Sequence, residues 1–226
     1  MPPAGHFHPQ EDDDGRPVWI ERPSVPTPMA AWHDPILVAT VTPGAAMPRT
    51  VIGIEIGSWL DAPTVSSGWE VLVAGCSFAE PQYEANGMRA ASGAVVVEPD
   101  GRVWVVSPSN RFGGYGTTFP KGVVAAAESL CLRANAIKEV HEETGLQIEL
   151  TGYLCDAVRT LSLTRYYVGR RIGGNPADMG WESQAVHLVP VDHLHHFVNH
   201  PFDQPIIGAL RGYLLGARLG QPTIGP

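Results

Sequence analysis

The stretch Lys138-Glu139-Val140-His141-Glu142-Glu143-Thr144-Gly145-Leu146 decides how this chain is read. Glu139, Glu142 and Glu143 stand at i, i+3 and i+4, which on a helix is one face. Like charges at that spacing repel, so the face needs a cationic partner. A hard divalent cation such as Mg²⁺ suits it, because such an ion takes oxygen ligands and also binds substrate phosphates.

Working outward, the periodicity predicts a helix over residues 129–144. Leu130, Ala134, Ile137 and Val140 form its buried stripe, and Gly145 stands where a left-handed cap ends it. Before it lie a Gly-rich loop, Gly113-Gly114-Tyr115-Gly116, and the turn Phe119-Pro120-Lys121-Gly122. Loop, turn and acidic helix together suggest metal-assisted hydrolysis of a phosphate anhydride.

Ala94–Glu98 and Val103–Val106 flank Pro99-Asp100-Gly101 and read as a β-hairpin with an Asp-Gly turn. Further strands are expected at Glu70–Ala74, Ile148–Cys155, Leu161–Val168 and Gln184–Val189. Asp203 is placed to cap a C-terminal helix, with Pro205 in its first turn and Ile207, Leu210 and Leu214 on its buried side. These elements suggest a mixed sheet flanked by helices, an α/β fold. Short apolar pieces at Ile36–Ala39 and Val51–Ile54 could be strands without assignable partners. Residues 1–35, rich in Pro, His and Asp, read as a tail or a loosely packed arm.

The 226 residues suffice for one large domain, or a domain with an extension. With 44% hydrophobic and 17% charged residues, the composition is that of a soluble globular protein. The net charge of -8 argues against binding bulk nucleic acid, which needs a basic footprint. No run of about 18 apolar residues marks a membrane span. Cys76, Cys131 and Cys155 form no metal spacing and no even disulfide set, which points to free thiols in a reducing cytoplasm.

With these residues in view, the chain resembles the Nudix hydrolases (MutT-like pyrophosphohydrolases). The family's box runs Gly, five residues, Glu, seven residues, then Arg-Glu-apolar-x-Glu-Glu-x-Gly-apolar. Residues 138–146 match its second half; Gly122 and Glu128 match its first. Two departures stand out. Nine residues, not seven, separate Glu128 from residue 138, and Lys138 replaces Arg, keeping the charge but not bidentate hydrogen bonding. An insertion inside the helix would disturb its buried stripe. The favoured reading therefore lengthens the loop before the helix and puts Leu130 in the place of the first glutamate.

The resemblance implies an α/β/α sandwich over residues 69–226 behind an N-terminal extension, 1–68. It implies that Glu139, Glu142 and Glu143, with the Gly122 carbonyl, bind Mg²⁺ or Mn²⁺, and that one glutamate serves as base. It implies a small nucleotide or other pyrophosphate substrate. Glu128, Lys138 and Gly145 take structural roles. Lys121 and Arg165 are candidates for substrate contact, as is Glu182 in Trp181-Glu182-Ser183-Gln184-Ala185-Val186, which is similar to a late segment in members that hydrolyse dinucleoside polyphosphates. Arg159, Arg170 and Arg171 are weaker candidates.

His193, His195, His196 and His200 match no zinc spacing and read as a surface segment. The rival function is a Nudix-fold module that binds a nucleotide without turnover, favoured only by the altered box spacing. Residues 1–68 are expected either to pair with a second subunit, as in a homodimer, or to cover the active site.

Overall fold

The computed structural model describes residues 6–21, 23, 25–109, 116–126 and 128–218. A two-stranded hairpin comes first, β1 (His6–Glu11) with β2 (Pro17–Ile20). Next come β3 (Ala39–Val41), the small hairpin β4 (Thr50–Val51) and β5 (Ile54–Glu55), and helix α1 (Ser66–Val73). The strands β6 (Arg89–Val97), β7 (Arg102–Pro108) and β8 (Lys121–Val123) precede helix α2 (Leu132–Thr144). After it come β9 (Leu146–Val158), β10 (Ser162–Gly174) and β11 (Ser183–Pro190), then the short α3 (Leu194–Phe197) and the C-terminal α4 (Gln204–Arg218).

Among the described residues, seven strands form one sheet in the order β3-β11-β7-β6-β10-β9, with β8 added on β6. Only β6 and β10 run parallel; the other pairings are antiparallel, so the sheet is mixed. Its central strands are buried on both faces, which is why Ala94-Val95-Val96-Val97 reads as an unbroken apolar run. The pleat sends alternate side chains to opposite layers. Ala94, Val96, Trp104, Val106 and Tyr167 pack with Ala134, Ile137 and Val140 of α2. Val95, Val103, Val105, Tyr166 and Val168 pack with Leu194, Val198, Ile206, Ile207 and Leu210. The α/β/α sandwich is thus in place.

The strand expected at Glu70–Ala74 is instead part of α1. A short apolar run does not by itself distinguish helix from strand. Here Trp69 and Val73, four residues apart, are buried, while Val71 and Leu72 face outward. Helix α2 begins three residues later than expected. Ser129 adopts a left-handed φ of 51°, which no continuing helix allows, and Cys131 caps the helix with its thiol, accepting from Ala134 N at 3.5 Å.

Residues 6–35, expected as a loose arm, contain the paired hairpin and a fully buried Trp32 held against Trp104, ring centroids 5.9 Å apart. Of the piece Ile36–Ala39 only Ala39 lies in a strand, β3, which pairs with β11. Asp203 does precede α4, but its carboxylate pairs with Arg159 at 2.6 Å and accepts from Thr118 Oγ1 at 3.1 Å. His195 and His196 are exposed, as a surface segment requires, with their ring centroids 3.8 Å apart. All three cysteines are free thiols. Among the described residues no helix is long and apolar enough to cross a membrane.

Candidate active site

Helix α2 lies across β6 and β8 and turns Glu139 and Glu143, one helical turn apart, toward β8. Glu143 Oε2 accepts from the Lys121 main-chain N–H at 2.9 Å. Glu139 is buried against Gly122, and a Cβ at Gly122 would overlap its carboxylate. Only glycine lets strand and carboxylate approach that closely. The Gly122 carbonyl accepts from Asn135 Nδ2 at 3.2 Å, beside its place in the β6–β8 ladder opposite Ser92. Asn135, wholly buried, also reaches Ser92 Oγ at 3.0 Å. It locks helix, β6 and β8 together just below the acidic face. Sequence reasoning missed it; a polar residue one turn before Glu139 on the buried side was the signal.

Glu142 stays exposed and accepts from Lys138 Nζ at 3.0 Å. The same ammonium stands 3.4 Å from Glu128 Oε2. This corrects the expectation that Leu130 replaces the box's first glutamate. Glu128 itself remains the acidic partner of residue 138, the two extra residues lie in the turn before α2, and Leu130 is a core residue. Gly145, at φ 66°, caps the helix with its N–H on His141 O at 2.7 Å. His141 packs its ring on Trp59 and Trp69, centroids 4.9 and 6.0 Å away.

Glu182 joins this group from the loop before β11. That loop is tied to the end of α2 by Gly180 N on Glu142 O and by Ser183 Oγ on Glu143 O, both 2.7 Å. Lys121 adds a positive charge that Glu143 and Glu182 both feel. Arg165 is elsewhere. It is buried and grips Asp156 through two bonds of 2.7 Å, with Glu80 at 3.3 Å. Arg159 is buried on Asp203, Arg171 on Glu98, and Arg170 pairs with Glu149 at the surface. Of the Gly-rich loop, Gly113, Gly114 and Tyr115 lie outside the described residues.

Among the described residues the group is short of positive charge. Burial, then the carboxylates of Glu143 and Glu142, push Glu139 up to about 9. Burial pushes Glu143 up to about 7 despite Lys121, with Glu182 and Glu142 adding to it. Glu182 is raised by burial and by the Glu142 and Asp13 carboxylates. An oxygen-only donor set held in that state fits a hard divalent cation, which favours the ionised carboxylates. As the side chains stand, no three acidic, His or Cys groups among the described residues converge on one point. Glu143 is drawn to Lys121 N and Glu142 to Lys138.

The model of the NUDIX domain family matches residues 87–210, which take in β6, the acidic helix, Glu182 and the start of α4. The chain belongs to the Nudix hydrolase family. Membership makes it a hydrolase of phosphoanhydride bonds.

Solved structures similar to this chain include a Nudix hydrolase from Nitrosomonas europaea, 16% identical over 55% of this chain and 89% of that one, with a TM-score of 0.46. An ADP-ribose pyrophosphatase from Streptococcus suis is 17% identical, over 61% and 96%, also with a TM-score of 0.46. The MutT protein of Methanosarcina mazei is 18% identical, over 55% and 94%, with a TM-score of 0.45. No curated protein matches the chain.

Proposed function

We propose that this Nudix protein is a Mg²⁺- or Mn²⁺-dependent pyrophosphohydrolase. Its substrate would be a nucleoside diphosphate linked to another moiety: a dinucleoside polyphosphate, an ADP-ribose-like compound or a nucleoside triphosphate. The observation that carries this reading is the gathering of Glu139, Glu142, Glu143 and Glu182 around β8, with Lys121 and Lys138 the cations that act on them among the described residues.

Glu139, Glu142 and Glu143 would hold the ion, with the Gly122 carbonyl beside them. When bound, the ion supplies charge to phosphoryl oxygens and lowers the pKa of an attacking water. Lys121 reaches the same space from β8 and would meet a substrate phosphate. The main-chain N–H of Lys121 fixes Glu143, so this carboxylate is oriented before substrate arrives. One of the glutamates then takes the proton of the attacking water. Arg165, engaged by Asp156, Glu80 and the Pro81 carbonyl, is less suited to a phosphate contact than Lys121.

The reading as a binding module drew on the altered box spacing. The two extra residues leave the helix, its acidic face and the Lys138–Glu128 pair in place, which supports turnover instead. Free thiols and the want of a long apolar helix among the described residues suit a cytoplasmic enzyme.

The test is product analysis with a panel of dinucleoside polyphosphates, ADP-ribose, NADH, nucleoside triphosphates and a diphosphoinositol, with and without Mg²⁺ or Mn²⁺. Metal-dependent cleavage of one nucleotide class supports the proposal. Tight nucleotide binding with no cleavage of any member would support the module.

A further inference from the structure

The segment that carries Glu182 is held on two sides by the catalytic layer. Gly180 and Ser183 bond the end of α2, and Ser109 at the end of β7 donates its N–H to Glu182 O at 2.7 Å and its hydroxyl to Trp181 O at 2.5 Å. Strand β3 pairs with β11 only from Val186 to Leu188, so it does not reach Ser183 or Gln184. The N-terminal hairpin takes its place.

Gln184 is buried there and its amide bridges to β2. Nε2 donates to Trp19 O at 2.8 Å, and Oε1 accepts from Glu21 N at 2.5 Å. The same Nε2 lies 3.3 Å from Ser109 Oγ. At the hairpin's turn, Trp181 Nε1 donates to Asp13 Oδ1 at 3.2 Å. Residues on either side of Glu182 are therefore fastened to one hairpin. Phe7 and Trp19, opposite each other with ring centroids at 4.8 Å, stiffen that hairpin from its outer face.

We propose that the hairpin of residues 6–21 is a positioning element for Glu182, acting through Gln184 and Asp13, so that it sets the enzyme's affinity for its divalent ion. This rests on the proposed metal site and adds Glu182, whose charge acts on Glu139 and Glu143, to its ligands. The physical ground is that Glu182 sits on a loop at the exposed rim, and a loop carboxylate serves a metal only when its backbone is fixed. A hairpin that merely covered the sheet edge would contribute to stability alone.

The test is the Mn²⁺ concentration giving half-maximal thermal stabilisation of the full chain, read beside the melting temperature without metal. In Gln184→Leu and Asp13→Ala that concentration should rise about tenfold, as for other groups that orient metal ligands. Asp13→Asn, which keeps an oxygen for Trp181 Nε1, should stay within about twofold of wild type by the same reasoning. At saturating Mn²⁺ the substrate KM should be unchanged. If Gln184→Leu does not fold, Asp13→Ala on the exposed turn decides alone. Wild-type Mn²⁺ midpoints in Asp13→Ala, with stabilisation lost in Glu139→Gln, would overturn the hairpin's role only. Full Mn²⁺ stabilisation in Glu139→Gln would overturn the metal-site reading and this one with it.

Discussion

The carboxylate of Glu139 lies so close to the backbone of Gly122 that a single methyl group cannot stand between them. The missing side chain of Gly122 leaves the Glu139 carboxylate its place between β8 and α2, with Asn135 bonding across the same gap. Gly122→Ala must push the helix away or turn the carboxylate aside. Overpacking of this kind costs about 1–3 kcal/mol, and a displaced catalytic group can cost about 100-fold in rate. The expected outcome is a folded protein with a lower melting temperature and kcat reduced by about that factor. Wild-type kcat in a folded Gly122→Ala would show that the contact is incidental.

Removing one carboxylate should separate stability from function. Glu139 is buried beside Glu142 and Glu143, so without metal folding must either bury its charge or protonate it, and both oppose folding. Glu139→Gln should melt a few degrees higher than wild type in EDTA, following the stability–activity trade-off of crowded sites. It should gain nothing on adding Mn²⁺. Thermal melts with and without metal check both halves.

Lys138 and Glu128 should prove structural. Their separation of 3.4 Å, with both groups partly exposed, places the pair among those worth about 1 kcal/mol or less. Glu128→Gln is expected to lower the melting temperature slightly and leave kcat within about twofold, since the pair lies outside the proposed metal ligands. A kcat loss comparable to that of Glu142→Gln would give Glu128 a direct part in the chemistry.

His187 makes stability depend on pH. Burial lowers its pKa to about 4, while Thr40 Oγ1 and Ser107 Oγ hold its two ring nitrogens at 2.8 and 2.9 Å. Its pKa in the unfolded chain is about 6.5, so the unfolded state takes the proton first as pH falls. The contribution is fully present above about pH 6.5, is lost between about 6.5 and 4, and amounts to about 3 kcal/mol over that window. Other groups titrate in the same range. The measurement is therefore the difference in unfolding free energy between wild type and His187→Gln, at pH 7 and at pH 4.5. That difference should shrink as the pH is lowered; a constant difference would sink the assignment.

The acidic helix was legible because its evidence is local: three glutamates, a buried stripe and Gly145 lie within one element whose period is known. The Asp100-Gly101 hairpin was legible for the same reason. What escaped the sequence depends on long-range contact. The bond from Glu21 N to Gln184 crosses 163 positions, and nothing in a stretch rich in Pro, His and Asp announces it. Val71-Leu72-Val73 has the composition of a strand, and only the burial of Trp69 and Val73 against α2 makes it a helix. Along the chain, two inserted residues put Glu128 out of step with residue 138. In space the turn absorbs them, and Lys138 still meets its partner.

The most direct test of the central claim is the rate of phosphoanhydride cleavage in ADP-ribose and a dinucleoside polyphosphate, measured in Mg²⁺, Mn²⁺ and EDTA, for wild type and Glu142→Gln. Turnover should require the metal, be absent in EDTA and fall by at least about 100-fold in Glu142→Gln, the scale on which misplaced catalytic groups act. Turnover that persists in EDTA, or that survives intact in Glu142→Gln, would contradict the claim.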